Sequence, residues 1–249
     1  MKPLTAFRQN IKAAEKMIRL HELLAGKNVR GIRKERAAAL KKALRWRKAD
    51  QIDRSENAYL YIVIRRADAV TRSDFGAKQL EFLLRQAVVA ACSAMDCYFL
   101  EKVEEHIWTV YSKKGAESPP DLLRLRIRME DYLKAEGYTR KGWAIKAGMM
   151  NSIQYSSFQS PDAIKDRLQL LGVKDFWSDV ARELGRRPSE LRNQVKEFVE
   201  RRNQIVHKGD RPRNKTLPID LNWVRRRTAL VDRVVNAADS VIDRQVAAL

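Results

Sequence analysis

The chain has 249 residues, 45% of them hydrophobic, a share that suits a folded protein and is too high for a disordered one. Its 50 Lys and Arg outnumber 31 Asp and Glu, so the formal net charge is +19; this favours an anionic partner, nucleic acid first and an acidic membrane surface second. No uninterrupted apolar run of about 18 residues is present, so no membrane span is expected, and the opening Met1-Lys2-Pro3-Leu4 lacks the apolar stretch of a signal peptide.

Proline placement sets the fold class. None of the seven prolines falls between Pro3 and Pro119, and Ala, Leu, Arg, Lys, Glu and Gln, all good helix formers, dominate that stretch. Alternating strand patterns with Asn-Gly or Asp-Gly turns are absent, so the chain reads as all-α. The first helix is predicted over about Leu4 to Leu24, ended by Gly26 and Gly31, and a long second helix over about Arg33 to Val70. These two form a long basic N-terminal helical hairpin within a segment spanning residues 1–76. Residues 1–50 hold fifteen Lys and Arg against four acids. That face is a solvated helix surface, an RNA-tracking surface or a membrane-surface helix.

The second region, residues 77–249, opens with the strongest helix, about Ala77 to Val110. Leu80, Leu83, Leu84, Ala87, Val88, Ala91, Cys92, Met95, Tyr98 and Phe99 recur at steps of three and four, with Val89, Phe99 and Val103 as a second apolar line. Such a helix is central, packed on several sides. Arg85 and Asp96 interrupt the second line within about 20° of each other around the axis. Ionised groups there are costly unless paired: the two read either as a snorkelling Arg and a structural Asp or as Asp96 supporting a polar site on a facing helix. Further helices are predicted from Asp121 to Leu133, from Pro161 to Gly172, from Lys174 to Leu184, from Pro188 to about His207 and from Pro218 to Ala247. A loop with a short helix is expected across Gly137–Ser160, and a basic loop across Asp210–Leu217.

Cys92 and Cys97 lie five apart in a helical segment, about 140° around the axis, a poor geometry for a disulfide. Without a Cys-x-x-Cys pair, zinc is not expected, and two reduced thiols point to a reducing cytoplasm. His21 and His106 sit on amphipathic helices with no cluster of ligands nearby, so neither a metal nor another cofactor is expected.

His207 differs. It closes Val199-Glu200-Arg201-Arg202-Asn203-Gln204-Ile205-Val206-His207-Lys208-Gly209-Asp210. The run Arg202-Asn203-Gln204-Ile205-Val206-His207 resembles the mark of the HEPN superfamily (higher eukaryotes and prokaryotes nucleotide-binding): Arg, four to six residues, then His, often with Asn after the Arg. Together with Leu84–Tyr98, Ser157–Pro161 and Leu171-Gly172-Val173, it is similar to the bacterial RiboL-PSP-HEPN branch over roughly residues 78–249. The resemblance implies a HEPN-like helical bundle, a homodimer, and metal-independent RNA cleavage in a toxin or antiviral defence role. An antitoxin or defence-system protein is a further partner it implies, and some members are non-catalytic RNA binders. A subset of HEPN toxins carries a Tyr two residues after the His as a target of AMPylation; Gly209 stands there, so that control is not expected.

The chemistry follows from the residue types. Cleaving RNA without a metal needs a base for the 2′-hydroxyl, an acid for the 5′-oxygen and a cation for the crowded phosphoryl group. Histidine does either proton task near neutral pH, and arginine presents a fork of donors to phosphate oxygens. One imidazole is not conveniently acid and base in the same step, so a two-fold dimer pooling two Arg202–His207 pairs is the expected solution. On an ideal helix the two residues diverge by about 140° with a rise near 7.5 Å. They therefore converge only through long side chains, through a distorted last turn, or across the dimer. Asn203, four before His207, is placed to orient the imidazole, and Arg201, Lys208, Arg211 and Arg213 are candidate RNA contacts. An RNA-binding adaptor without chemistry and a purely structural partner in a toxin–antitoxin or defence complex remain as alternatives.

Overall fold

The computed structural model describes residues 1–25, 29–45, 51–55, 61–64, 69–137, 141–153, 158–211 and 216–249. The fold is all-α in its body. α1 (Pro3–Leu24) starts with Pro3 in the first turn, where a missing N–H costs nothing. It buries Phe7, Ile11, Ala14 and Ile18 at helical spacing. That stripe lies along α3 (Glu81–Lys114) and against α10 (Leu221–Ala247), so the first helix shares its core with the region beyond residue 77.

The long helix expected over Arg33–Val70 does not form. Among the described residues of that span only α2 (Lys34–Ala43) is helical; β1 (Val29–Gly31) before it and β2 (Gln51–Ser55) and β3 (Tyr61–Ile64) after it form a small antiparallel sheet in the order β1-β2-β3. Val29 stands opposite Ser55, and Gln51 opposite Ile64. The physical reason is written in the second half of the segment: Tyr61-Ile62-Val63-Ile64 is aromatic and β-branched, a composition that favours a pleated strand over a helix. The N-terminal helical hairpin is therefore replaced by one core helix followed by a short helix and a three-stranded sheet.

α3 is central. By length and composition it is apolar enough to cross a membrane, yet α1, α9 (Pro188–Lys208) and α10 pack against it and bury Leu84, Val88, Met95, Phe99, Val103 and Ile107. Its aromatic residues start a network that ties the helices together. Tyr98 meets Phe7 edge-on at 5.9 Å, and Phe99 meets Phe176 edge-on at 5.9 Å and stacks on Phe158 at 6.2 Å.

Between α3 and α9 the chain departs from expectation at one helix. The helix predicted over Asp121–Leu133 is split into α4 (Pro120–Leu123) and α5 (Met129–Gly137). Ile127, in the gap, lies where a side chain on Gly148 would stand. The short helix expected within the loop Gly137–Ser160 is α6 (Lys141–Ile153), 13 residues long, which pairs with α5. Tertiary packing overrides weak local preference here. α7 (Pro161–Leu168) is capped by Ser160, whose Oγ accepts from Ala163 N at 2.9 Å. It gives way to a 3-10 turn ended by Gly172 at φ +73°. α8 (Phe176–Glu183) leads to α9, and Asp220 caps α10 by accepting from Trp223 N at 2.7 Å.

Candidate functional site around Arg202 and His207

α9 positions the two motif residues. Leu191, Val195, Phe198, Val199 and Ile205 form its buried stripe, which turns Arg202 toward α3 and the segment before α7. Phe158 is the anchor of that segment. Its ring stacks on Phe99, and its backbone N–H donates to Asp96 Oδ1 at 2.7 Å. The next residue, Gln159, then bridges two groups. Its Nε2 donates to Asp96 Oδ2 at 2.9 Å, and its Oε1 accepts from Arg202 Nη1 at 2.8 Å. Asp96 on α3 is thus linked to Arg202 on α9 through one neutral amide.

Arg202 Nη1 also donates to Asn203 Oδ1 at 3.0 Å, and Arg202 Nε is buried without a hydrogen-bond partner among the described residues. Asn203 is therefore turned toward Arg202; no hydrogen bond joins it to His207. Close by, burial pushes the Cys92 thiol up to about 12, against the pull of the Arg202 charge and with the push of Asp96. Cys92 is buried, Cys97 is exposed, and both are free thiols.

His207 lies in the last turn of α9 and is exposed, as are Val206 and Lys208. The helix remains α-helical through Lys208. Of the three routes to convergence, a distorted last turn is therefore not taken within one chain. The helix stops at Gly209 and Asp210, both at positive φ (+55° and +58°), and Asp210 N donates to Gln204 O at 3.0 Å. Positive φ is what glycine supplies without strain and what Asp tolerates better than most residues.

Asp210 holds the chain immediately after the motif, and nothing in its position along the sequence announced that task. It is 0% exposed, and its Oδ2 accepts from Arg85 Nε and Arg201 Nη2, each at 2.8 Å. Arg85 Nη2 donates to Leu217 O at 2.7 Å and to Glu81 Oε2 at 2.9 Å, and Arg201 Nη2 also donates to Pro218 O at 3.0 Å. Arg85 thereby finds the partners that its place on an apolar line demanded. Burial, with Arg85 alongside, pulls the Arg201 guanidinium below its ordinary value despite the opposing carboxylate. Of the expected RNA contacts, Arg201 is committed to this clamp, Lys208 and Arg211 are exposed, and Arg213 lies outside the described residues.

A second polar cluster corrects the reading of His106 as isolated. Its Nε2 lies 2.8 Å from Asp243 Oδ1. Buried Lys102 places Nζ 2.7 Å from Asp243, 2.9 Å from Asp239 and 3.2 Å from Glu105. Glu105, His106 and Asp243 gather ligand atoms within 4.8 Å of one another. The Lys102 ammonium already stands at those carboxylates and repels a second cation, so the cluster is an ion-pair network joining α3 to α10 rather than a metal seat. No family model, no curated protein and no solved structure matches the chain.

Proposed function

We propose that the protein is a metal-independent endoribonuclease whose site is assembled from two copies of the chain. One observation carries the reading. α9 bears a guanidinium held by Gln159 and, through it, by Asp96, and about one and a half turns further on it bears an imidazole open to solvent. The first is a preorganised donor for a phosphate, the second an accessible proton carrier. The likeness of this stretch to HEPN proteins supplies the reaction class.

In the proposed reaction, one His207 imidazole takes the proton of a 2′-hydroxyl. The 2′-oxygen bonds to the adjacent phosphorus as the bond to the 5′-oxygen breaks. The partner subunit's His207 protonates the leaving oxygen, and the two Arg202 groups carry the charge of the phosphoryl oxygens. The products are a 2′,3′-cyclic phosphate and a 5′-hydroxyl. Val206, 46% exposed beside His207, supports a contact between copies at this place, since a large apolar side chain at a polar site gains by being covered. A toxin or antiviral role is the setting that the resemblance carries.

The test is incubation of total RNA with purified protein in EDTA, followed by end-group analysis. Wild type is expected to leave cyclic phosphate and 5′-hydroxyl ends. His207→Ala is expected to lose at least a hundredfold in rate while unfolding at the same denaturant concentration, and Arg202→Ala to lose at least as much. Cleavage that depends on an added divalent ion overturns the mechanism. A second reading, an RNA-binding protein without chemistry, is favoured by the engagement of Arg202 Nη1 with Gln159 and Asn203, which leaves less of the guanidinium for a substrate. RNA that is bound and left intact by the wild type selects it.

A further inference from the structure

The groove between α9 and the N-terminal half of α10 concentrates positive charge that the Arg202–His207 reading does not use. It holds a cavity of about 340 Å³ lined by Arg186, Gln194, Trp223, Arg226, Arg227 and Arg233 among others. Two of the four arginines are balanced. Arg227 pairs with Glu197 and lies 5.9 Å over the Trp223 ring, while Arg186 donates to Gln194 Oε1 at 2.9 Å and stands 3.9 Å from Glu190. Arg226 and Arg233 are exposed and make no ion pair among the described residues. A concave site thus carries two uncompensated guanidinium groups beside an indole that is itself fixed against Phe198, ring centroids 5.9 Å apart.

The spacing selects the ligand. Arg226 and Arg233 are seven residues apart on α10, so they share a face within about 20° and are separated by a rise of about 10.5 Å. Side chains so placed serve successive anionic groups along a chain better than one small ion. Guanidinium forks match phosphate oxygens, and indole and guanidinium planes offer flat surfaces to bases. We infer that this groove binds a stretch of single-stranded RNA outside the reacting phosphate. The inference rests on RNA being the ligand proposed above. It also places the groove on the same helix as the motif, with Gln194 about 20 Å along α9 from His207.

Binding is measured by fluorescence anisotropy of a labelled twelve-nucleotide single-stranded RNA of mixed sequence. The protein is the full chain carrying His207→Ala, so cleavage plays no part. Adding Arg226→Glu and Arg233→Glu together is expected to weaken binding at least tenfold. It should also lower the slope of log affinity against log salt by about 1.4, at roughly 0.7 per phosphate contact on a single strand. The control carries the same charge change elsewhere: Lys12→Glu with Lys16→Glu, two exposed positions on α1, expected to weaken binding less than threefold. Equal loss in both double variants assigns the effect to overall charge and overturns the groove. Adenosine 5′-monophosphate binding as tightly as the strand, with the same dependence on Arg226 and Arg233, overturns the assignment to a chain. The nuclease reading fails separately: RNA left intact by the wild type, with binding still dependent on the groove, drops the chemistry and keeps this inference.

Discussion

Single residues fix what the backbone alone leaves open, and Asp210 shows it most clearly. Removing its carboxylate takes the ion-pair partner from partly buried Arg201 and leaves Arg85 with Glu81 alone, a loss that runs at about 3–5 kcal/mol when one member of a buried pair is deleted. Ala at φ +58° adds strain that Asn largely avoids. In urea unfolding, Asp210→Ala is therefore expected to lower the midpoint strongly and Asp210→Asn less; an unchanged midpoint in the Ala variant refutes the clamp. Asp243 makes a prediction in pH. Burial raises its carboxyl, but hydrogen bonds from Lys102 and His106 and their charge outweigh that and hold it below its ordinary 3.8. A carboxyl lowered in the folded state stabilises the fold above its unfolded value, and the benefit goes as pH falls through the folded one. The gap in urea midpoint between wild type and Asp243→Asn is thus expected to be full at pH 6 and to narrow below about pH 4; a gap that widens on acidification contradicts it.

Whole elements were legible where one pattern ran long and failed where two signals met. The apolar lines of α1, α3, α9 and α10 are sustained over several turns and end at Gly or at a loop, so their existence and approximate bounds follow from spacing alone. The stretch after Arg33 begins as helix-forming Ala, Arg and Lys and ends as Tyr61-Ile62-Val63-Ile64, and absence of proline is no guarantee of a single helix. α6 is legible only as a short helix of unstated bounds within Gly137–Ser160, because two glycines and a Ser-Asn pair weaken its own signal; it packs against α5. Within the candidate site, Arg202 and His207 stand out by type and spacing, and Asp96 by being an acid on an apolar line. Gln159 does not. It is neutral, 43 residues before Arg202, and has meaning only once Phe158 is stacked on Phe99. Asp210 is one of 31 acids, and its partners lie 125 and 9 residues away in sequence.

At the scale of the whole molecule, the geometry of α9 turns the proposed chemistry into a question of stoichiometry. Arg202 and His207 sit on one regular helix, about 140° apart around its axis. Arg202 is further held toward Gln159, so long side chains within a single chain have little room to bring the pair together. A second copy related by a two-fold axis supplies the missing imidazole from outside. This has a consequence that a self-contained site lacks. When wild type and His207→Ala chains are mixed in equal amounts and allowed to exchange, random pairing leaves about a quarter of the dimers with two imidazoles. A site that needs both retains about a quarter of the activity of the same total amount of wild-type dimer, and excess variant extinguishes it. A site complete in each chain retains about half and is indifferent to the excess. Activity that falls in strict proportion to the wild-type fraction therefore removes the composite site, whatever the RNA end groups turn out to be.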